Sequence, residues 1–212
     1  MKRFLALALA ATIPCLAAAE ASSWTIDPAH SSTQFSVRHL VISTVRGQFG
    51  KTTGTLRLDE KDLSKSAVEA TIDVSSIDTR VADRDTHLKS PDFFDAAKYP
   101  TMTFKSTKVA KAGAGKLKVT GDLTLKGNTK PVVLDVSYTP AAITGMHGES
   151  RRGFSATTKI NRKDFGLNWS KVVEAGPVVG DEVTIVVDAE AIKDQPKEQA
   201  KAAAPVKEEK KQ

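Results

Sequence analysis

Cysteine is nearly missing from this chain: the single one among 212 residues is Cys15. It falls inside the opening stretch MKRFLALALAATIPCLAAAEASSW. That stretch is built like a secretory leader. Lys2 and Arg3 supply the positive start, residues 4–16 form an apolar run too short to span a bilayer, and Ala17, Ala18 and Ala19 supply small residues for cleavage. Residues 1–19 are therefore expected to leave on export, to the periplasm or beyond. The mature chain then starts at Glu20, with Ser22 as second choice. A lipoprotein leader places a small residue before its acylated cysteine; Pro14 stands there, so lipidation is not expected. The exported product has no thiol, which excludes disulfides and thiol chemistry.

Other shortages narrow the function classes. No later apolar run is long enough for a membrane helix. Aromatic residues make up 6% of the chain, too few for the two interfacial girdles of an outer-membrane barrel. Dense Arg/Lys patches interleaved with aromatics are missing, so nucleic acid is not an expected partner. The four histidines, His30, His39, His87 and His147, form no close metal-binding pair. GxSxG, HExxH and a phosphate loop are missing too. No metal or redox cofactor is expected. The formal charge is +6, or +4 once Lys2 and Arg3 are gone. This suits transient contact with an anionic membrane surface.

What is present is period two. In KLKVTGDLTLK, Leu117, Val119, Gly121, Leu123 and Leu125 share one face, and lysines, threonines and Asp122 the other. The alternation returns in Phe35, Val37 and His39; in Val68, Ala70, Ile72 and Val74; in Met102 and Phe104; in Val132, Leu134, Val136 and Tyr138; in Phe154, Ala156 and Ile160; and in Val183, Ile185, Val187 and Ala189. Two glycines within residues 111–115, and Gly127-Asn128, mark turns. The reading is all-β: about eight antiparallel strands, each with one dry face, closed into a barrel with no free edges. A two-sheet sandwich is the alternative. Residues 193–212 are mostly Lys, Glu, Ala, Gln and Pro with one branched aliphatic, Val206, and read as a solvated tail.

One block breaks the pattern: RDTHLKSPDFFDAAKYPTMTF, residues 84–104. Residues 81–88 suit a short helix. Ser90 as N-cap with Pro91 and Asp92 suits a second, ended by Pro100. The helical excursion spans about 80–98, with Phe93 and Phe94 as its buried anchors. Arg84, Asp85 and His87 can be read as an acid/base set or as the polar face of that helix. The inward positions Ala70, Gly121, Ala156 and Ala189 are small. They either leave a lumen or offset large neighbours across the barrel.

Taken in order, WTIDPAHSSTQFSVRHLVISTVRGQFGKTTGTLRLD, SIDTRVADRDTHLKSPDFFDAAKYPTMTFKS, GDLTLKGNTKPVVLDV, INRKDFGLNW and GDEVTIVVDAEA resemble the YceI-like family of exported bacterial proteins. The resemblance covers residues 24–192. It implies a lipocalin-like barrel that holds a long isoprenoid, quinone-like or other amphiphilic lipid, with no catalytic centre. It also implies that the 84–104 block is structural. The barrel domain is expected over residues 22–192.

On that implication the lumen wall comprises Phe35, Val37, His39, Phe49, Leu56, Val68, Ala70, Ile72, Met102 and Phe104 from the first half of the chain. Leu117, Val119, Leu123, Val136, Phe154, Ala156, Ile185 and Val187 complete it. Arg38, His39 and Arg46 are the head-group candidates; His39 reads equally well as a hydrogen-bonded wall residue. The rival reading is a lipid-modifying hydrolase using Asp85 and His87. The oligomeric state is left open, and a homodimer is compatible with the sequence.

Overall fold

Alternating segments in a chain need partners for their dry faces and for their backbone groups, and a closed sheet supplies both. A computed structural model describes residues 21–173 and 176–195. The leader, Cys15 and the tail from residue 196 lie outside the described residues. The strands are β1 (Ser22–Ile26), β2 (Ser32–His39), β3 (Ser43–Phe49), β4 (Thr52–Leu58), β5 (Ala67–Asp73) and β6 (Ile77–Asp78). After helix α1 (Ala82–Lys89) come β7 (Thr101–Lys111), β8 (Lys116–Leu125), β9 (Asn128–Tyr138), β10 (Ile143–Thr144), β11 (Ser150–Asn161), β12 (Val172–Val173), β13 (Gly176–Pro177) and β14 (Val179–Lys193).

Several segments are halves of one long, bent strand. β1 and β2 are separated by the 3-10 turn Pro28–His30, and both pair with β14: β1 with its last residues, β2 with its first ten. β3 and β4 lie antiparallel to β2 and β1, interrupted at residues 50–51. β5 continues into β6 across the turn Val74–Ser76. Read this way, the ring runs β1/β2, β3/β4, β5/β6, β7, β8, β9, β11, β14. The pairing of β14 with β2 and of β11 with β14 closes it. The expected eight-stranded antiparallel barrel is what forms; the sandwich does not. Asp194, just past β14, accepts hydrogen bonds from Ser23 Oγ (2.6 Å) and Thr25 Oγ1 (2.7 Å), so chain residues beyond 193 still hold β1.

The excursion holds one helix, not two. α1 has Asp83 and Asp85 in its first turn and His87 and Lys89 in its last, matching its dipole. Ser90 ends this helix instead of starting another. Its carbonyl, not its hydroxyl, takes the amides of Phe93 and Asp95, and its buried hydroxyl has no partner among the described residues. Asp95 then adopts a left-handed φ of 51°, and residues 91–99 run as turns, held by Phe94 N–H to Leu88 O (3.0 Å) and Tyr99 N–H to Asp95 O (2.8 Å). The chain folds back over one barrel end, placing Phe93 in the core at 6% exposure.

Candidate functional site

The barrel interior is not evenly filled. On β7 and β8 the inward side chains Met102, Phe104, Val109, Leu117, Val119, Leu123 and Leu125 are buried. Across the barrel, Val132, Leu134 and Val136 on β9, Phe154 and Ala156 on β11, Val183, Ile185 and Val187 on β14, and Phe35 and Val37 on β2 are only half-buried. These residues face inward yet keep accessible surface, because they border a void of about 260 Å³. Its wall draws on β2, β4, β5, β7, β8, β9, β11 and β14, and on Leu88, Phe93 and Phe94 from the excursion. On β14 alone its wall takes residues from Val179 to Ala189, about 33 Å of strand at roughly 3.3 Å per residue.

Of the expected wall residues, Phe35, Val37, Phe49, Leu56, Val68, Ala70, Ile72, Met102, Phe104, Leu117, Val119, Leu123, Val136, Phe154, Ala156, Ile185 and Val187 all border this void. His39 does not. It has the parity of Phe35 and Val37 but pairs with Ser43 and Val179 at the last rung of β2, beyond the void. Arg38 and Arg46 also stand off the wall. Both are exposed; Arg38 donates to Thr44 Oγ1 (3.0 Å) and to the Val41 carbonyl.

The small residues divide into two kinds. Ala70, Ala156 and Ala189 border the void. Gly121 does not: a Cβ there would lie 2.4 Å from Cζ of Phe104, whose ring lies across it. Gly47 under Phe35 is the same arrangement, at 2.5 Å. Glycine at these two positions makes room for a ring, and alanine at the others leaves space.

The buried and half-buried polar groups along the void are already satisfied; Gln34 and Arg57, which also border it, are exposed, and Arg57 donates to Lys65 O (3.2 Å). Thr33 and Thr52, both buried, bond each other through their hydroxyls at 2.9 Å. Thr158 Oγ1 donates to Val133 O (2.9 Å). Arg162 is 4% exposed, and burial pushes its pKa below the ordinary guanidinium value while Asp181 works against that shift. All its donors are engaged: Nε on Gly180 O (2.9 Å), one terminal nitrogen on Leu167 O and Trp169 O, the other on Val179 O and Asp181 Oδ1. Arg162 therefore ties one barrel end together and has no N–H left for a ligand. The sequence carried a signal for it, since it continues the inward parity of Phe154, Ala156, Thr158 and Ile160. Leu88 and Leu167 on the wall had no such signal, because they lie outside the strands.

Arg84 and Asp85 fasten one point, Thr79, and His87 another. Asp85 Oδ1 accepts from the backbone N–H (2.9 Å) and hydroxyl (2.5 Å) of Thr79. Arg84 donates to Thr79 Oγ1 and Thr79 O, both at 2.8 Å. His87 bonds Asp92 (2.9 Å) and sets its ring edge-on to Phe93 and Trp169. Asp85 and His87 serve different partners and form no acid/base relay. Asp27, His30 and Glu190 also converge, but Arg151 fills their centre, 2.8 Å from Asp27 and 2.9 Å from Glu190. Among the described residues no helix is long and apolar enough to cross a membrane.

Comparison with known proteins agrees with this geometry. A UPF0312 protein of Vibrio cholerae is 43% identical over 168 residues, covering 78% of this chain and 88% of its own. BcnA of Burkholderia cenocepacia, 27% identical, superposes with a TM-score of 0.68 over 78% of this chain and 98% of its own. The YCEI protein of Campylobacter jejuni is 33% identical, with a TM-score of 0.64 over 74% and 90%. A polyisoprenoid binding domain from Saccharophagus degradans, 14% identical, shares the fold at a TM-score of 0.60 over 82% and 99%. Residues 24–191 match the YceI-like domain, a span that reaches every strand of the ring, and the chain belongs to that family.

Proposed function

We propose that this protein is an exported carrier that holds one long apolar lipid chain, of isoprenoid or quinone-like type, inside the barrel. The observation that carries the reading is the void itself: elongated, walled chiefly by aliphatic and aromatic side chains, with the buried hydroxyls of Thr33 and Thr52 bonded to each other and that of Thr158 to the backbone. Such a wall selects by burial. Each methylene taken from water contributes about 0.8 kcal/mol, less the cost of fixing ligand and protein. A branched, chain-like hydrocarbon gains most from a narrow tunnel, whereas a compact ligand would leave much of it empty. The description of the Saccharophagus degradans domain as polyisoprenoid binding supports the ligand class.

Export rests on the leader-like residues 1–19. The carrier role is binding without turnover, in keeping with the separate fastenings of Asp85 and His87. Native mass spectrometry of protein purified from the periplasmic extract, followed by organic extraction, tests both points. The expected result is a chain starting at Glu20 or Ser22 with a lipid of discrete mass bound. Protein that carries no extractable lipid and takes up none from detergent would overturn the carrier reading.

A further inference from the structure

One end of the lumen is marked by Val37 and Val179, next to the last rung of β2, where His39 pairs with Val179. Just beyond, Leu40 and Val41 take left-handed φ values of 51° and 63°. For a β-branched residue such as Val41 that is a strained conformation, and strain of this kind gathers at functional sites. It turns Val41 and Ile42 out into solvent, 58% and 79% exposed. Beside them stands a second tip, β12, with Val172 79% and Val173 45% exposed. The two tips are coupled: Leu40 N–H donates to Val178 O (3.0 Å), and Val178 N–H to Lys171 O (2.9 Å).

Four branched aliphatics held in water on two joined tips are costly for a protein that stays in solution. Exposed cations lie on the same segments: Arg38, Arg46 and Lys171, against one carboxylate in sequence over residues 38–46 and 171–180, Glu174; Asp181, next along, is paired with Arg162 and Lys163. Apolar tips with cations at their base match the interface of an anionic bilayer, where side chains enter the acyl boundary and cations meet the head groups. We infer that these tips dock the barrel on an anionic lipid surface, with the Val37–Val179 end of the lumen toward the membrane. This rests on the carrier reading for its purpose, though not for its geometry.

A control lies elsewhere on the barrel. Ile143 and Met146 are also exposed, at 65% and 94%, but residues 139–149 contain no Lys or Arg.

The test is flotation with vesicles of phosphatidylethanolamine and phosphatidylglycerol, using wild type, Ile42→Asp/Val172→Asp and Met146→Asp. Each is also loaded from detergent with a long-chain fluorescent probe. The wild type and Met146→Asp should float, less so in high salt, and the double variant should lose at least about tenfold in vesicle affinity, equivalent to about 1.4 kcal/mol. All three should take up the probe equally. A wild type that stays with the soluble fraction, or a double variant that floats like wild type, would overturn the docking surface. So would sedimentation showing a wild-type dimer that the double variant loses, since a second copy would then cover the tips. If all three fail to bind the probe while flotation behaves as stated, the carrier reading fails and the docking surface stands.

Discussion

Phe94 meets Phe49 edge-on, with ring centroids 5.6 Å apart and ring planes at 90°. Phe49 ends β3 and borders the void; Phe94 comes from the turns after α1 and borders it too. The charged block that interrupts the β pattern thus contributes a wall to the lumen. Its polar residues face away from the void and secure the segment, chiefly through Thr79, which is 4% exposed.

Phe93 and Phe94 should therefore respond differently. Both border the void, but Phe93 is buried and packs on His87 and Trp169, so Phe93→Ala should cost about 3–5 kcal/mol. Phe94→Ala removes surface already facing a void, so it should cost clearly less and widen the lumen. Asp85→Ala strands two buried donors of Thr79 and should cost about 1–3 kcal/mol, whereas His87→Ala loses an exposed pair with Asp92. Chemical denaturation of the four variants checks the order. Equal losses in Phe93→Ala and Phe94→Ala would mean that Phe94 is packed as tightly as Phe93.

Arg162 should be intolerant of lysine. Its five N–H groups hold carbonyls from residues 167, 169, 179 and 180 together with Asp181. A lysine has three donors and no planar fork, so buried carbonyls lose their partners. Arg162→Lys should cost about 3 kcal/mol or more. A melting temperature unchanged from wild type would show that the clamp contributes little.

Acid should act through Asp27. Hydrogen bonds from His30 and then Arg151 hold its carboxyl at about 2, below the ordinary 3.8. Glu190 and Glu149 also face Arg151. A carboxyl depressed in the folded state stabilises fully above its unfolded pKa, and the gain is lost as pH falls through about 2. The loss amounts to roughly 2 kcal/mol. Melting temperature followed from pH 6 down to pH 2 should fall less steeply below about pH 4 for Asp27→Asn than for wild type. Parallel curves would contradict the assignment.

Much of this architecture was legible in the chain because a barrel writes its inside and outside on alternate residues. β8 is the clearest case: Leu117, Val119, Leu123 and Leu125 are buried, and Lys116, Lys118 and Asp122 exposed. Alternation fixes which face a residue takes but not where a strand stops mattering, which is why His39 had the right parity and the wrong depth. It is equally silent on what lies opposite. Gly121 and Ala156 look alike as small inward residues; only the Phe104 ring across Gly121 separates filled space from empty. The second helix failed for a local reason. Ser90, Pro91 and Asp92 fit an N-terminus, but the chain had just left α1, and Asp95 in a left-handed conformation gave it a reversal in place of a further helix.

The most direct test of the account is whether the lumen is empty space that a ligand needs. Ala156 borders the void from β11, facing Val136 on β9 and Val187 on β14. Calorimetry on delipidated wild type and Ala156→Trp, paired with uptake of a long-chain probe, separates the two cases. Ligand-free protein is required, since bound lipid itself raises apparent stability. The account predicts an indole that fits the void, a melting temperature near or above that of wild type, and much reduced uptake. A variant destabilised by about 1–3 kcal/mol or more would mean the interior is already full, and the lipid carrier would be the wrong protein for this sequence.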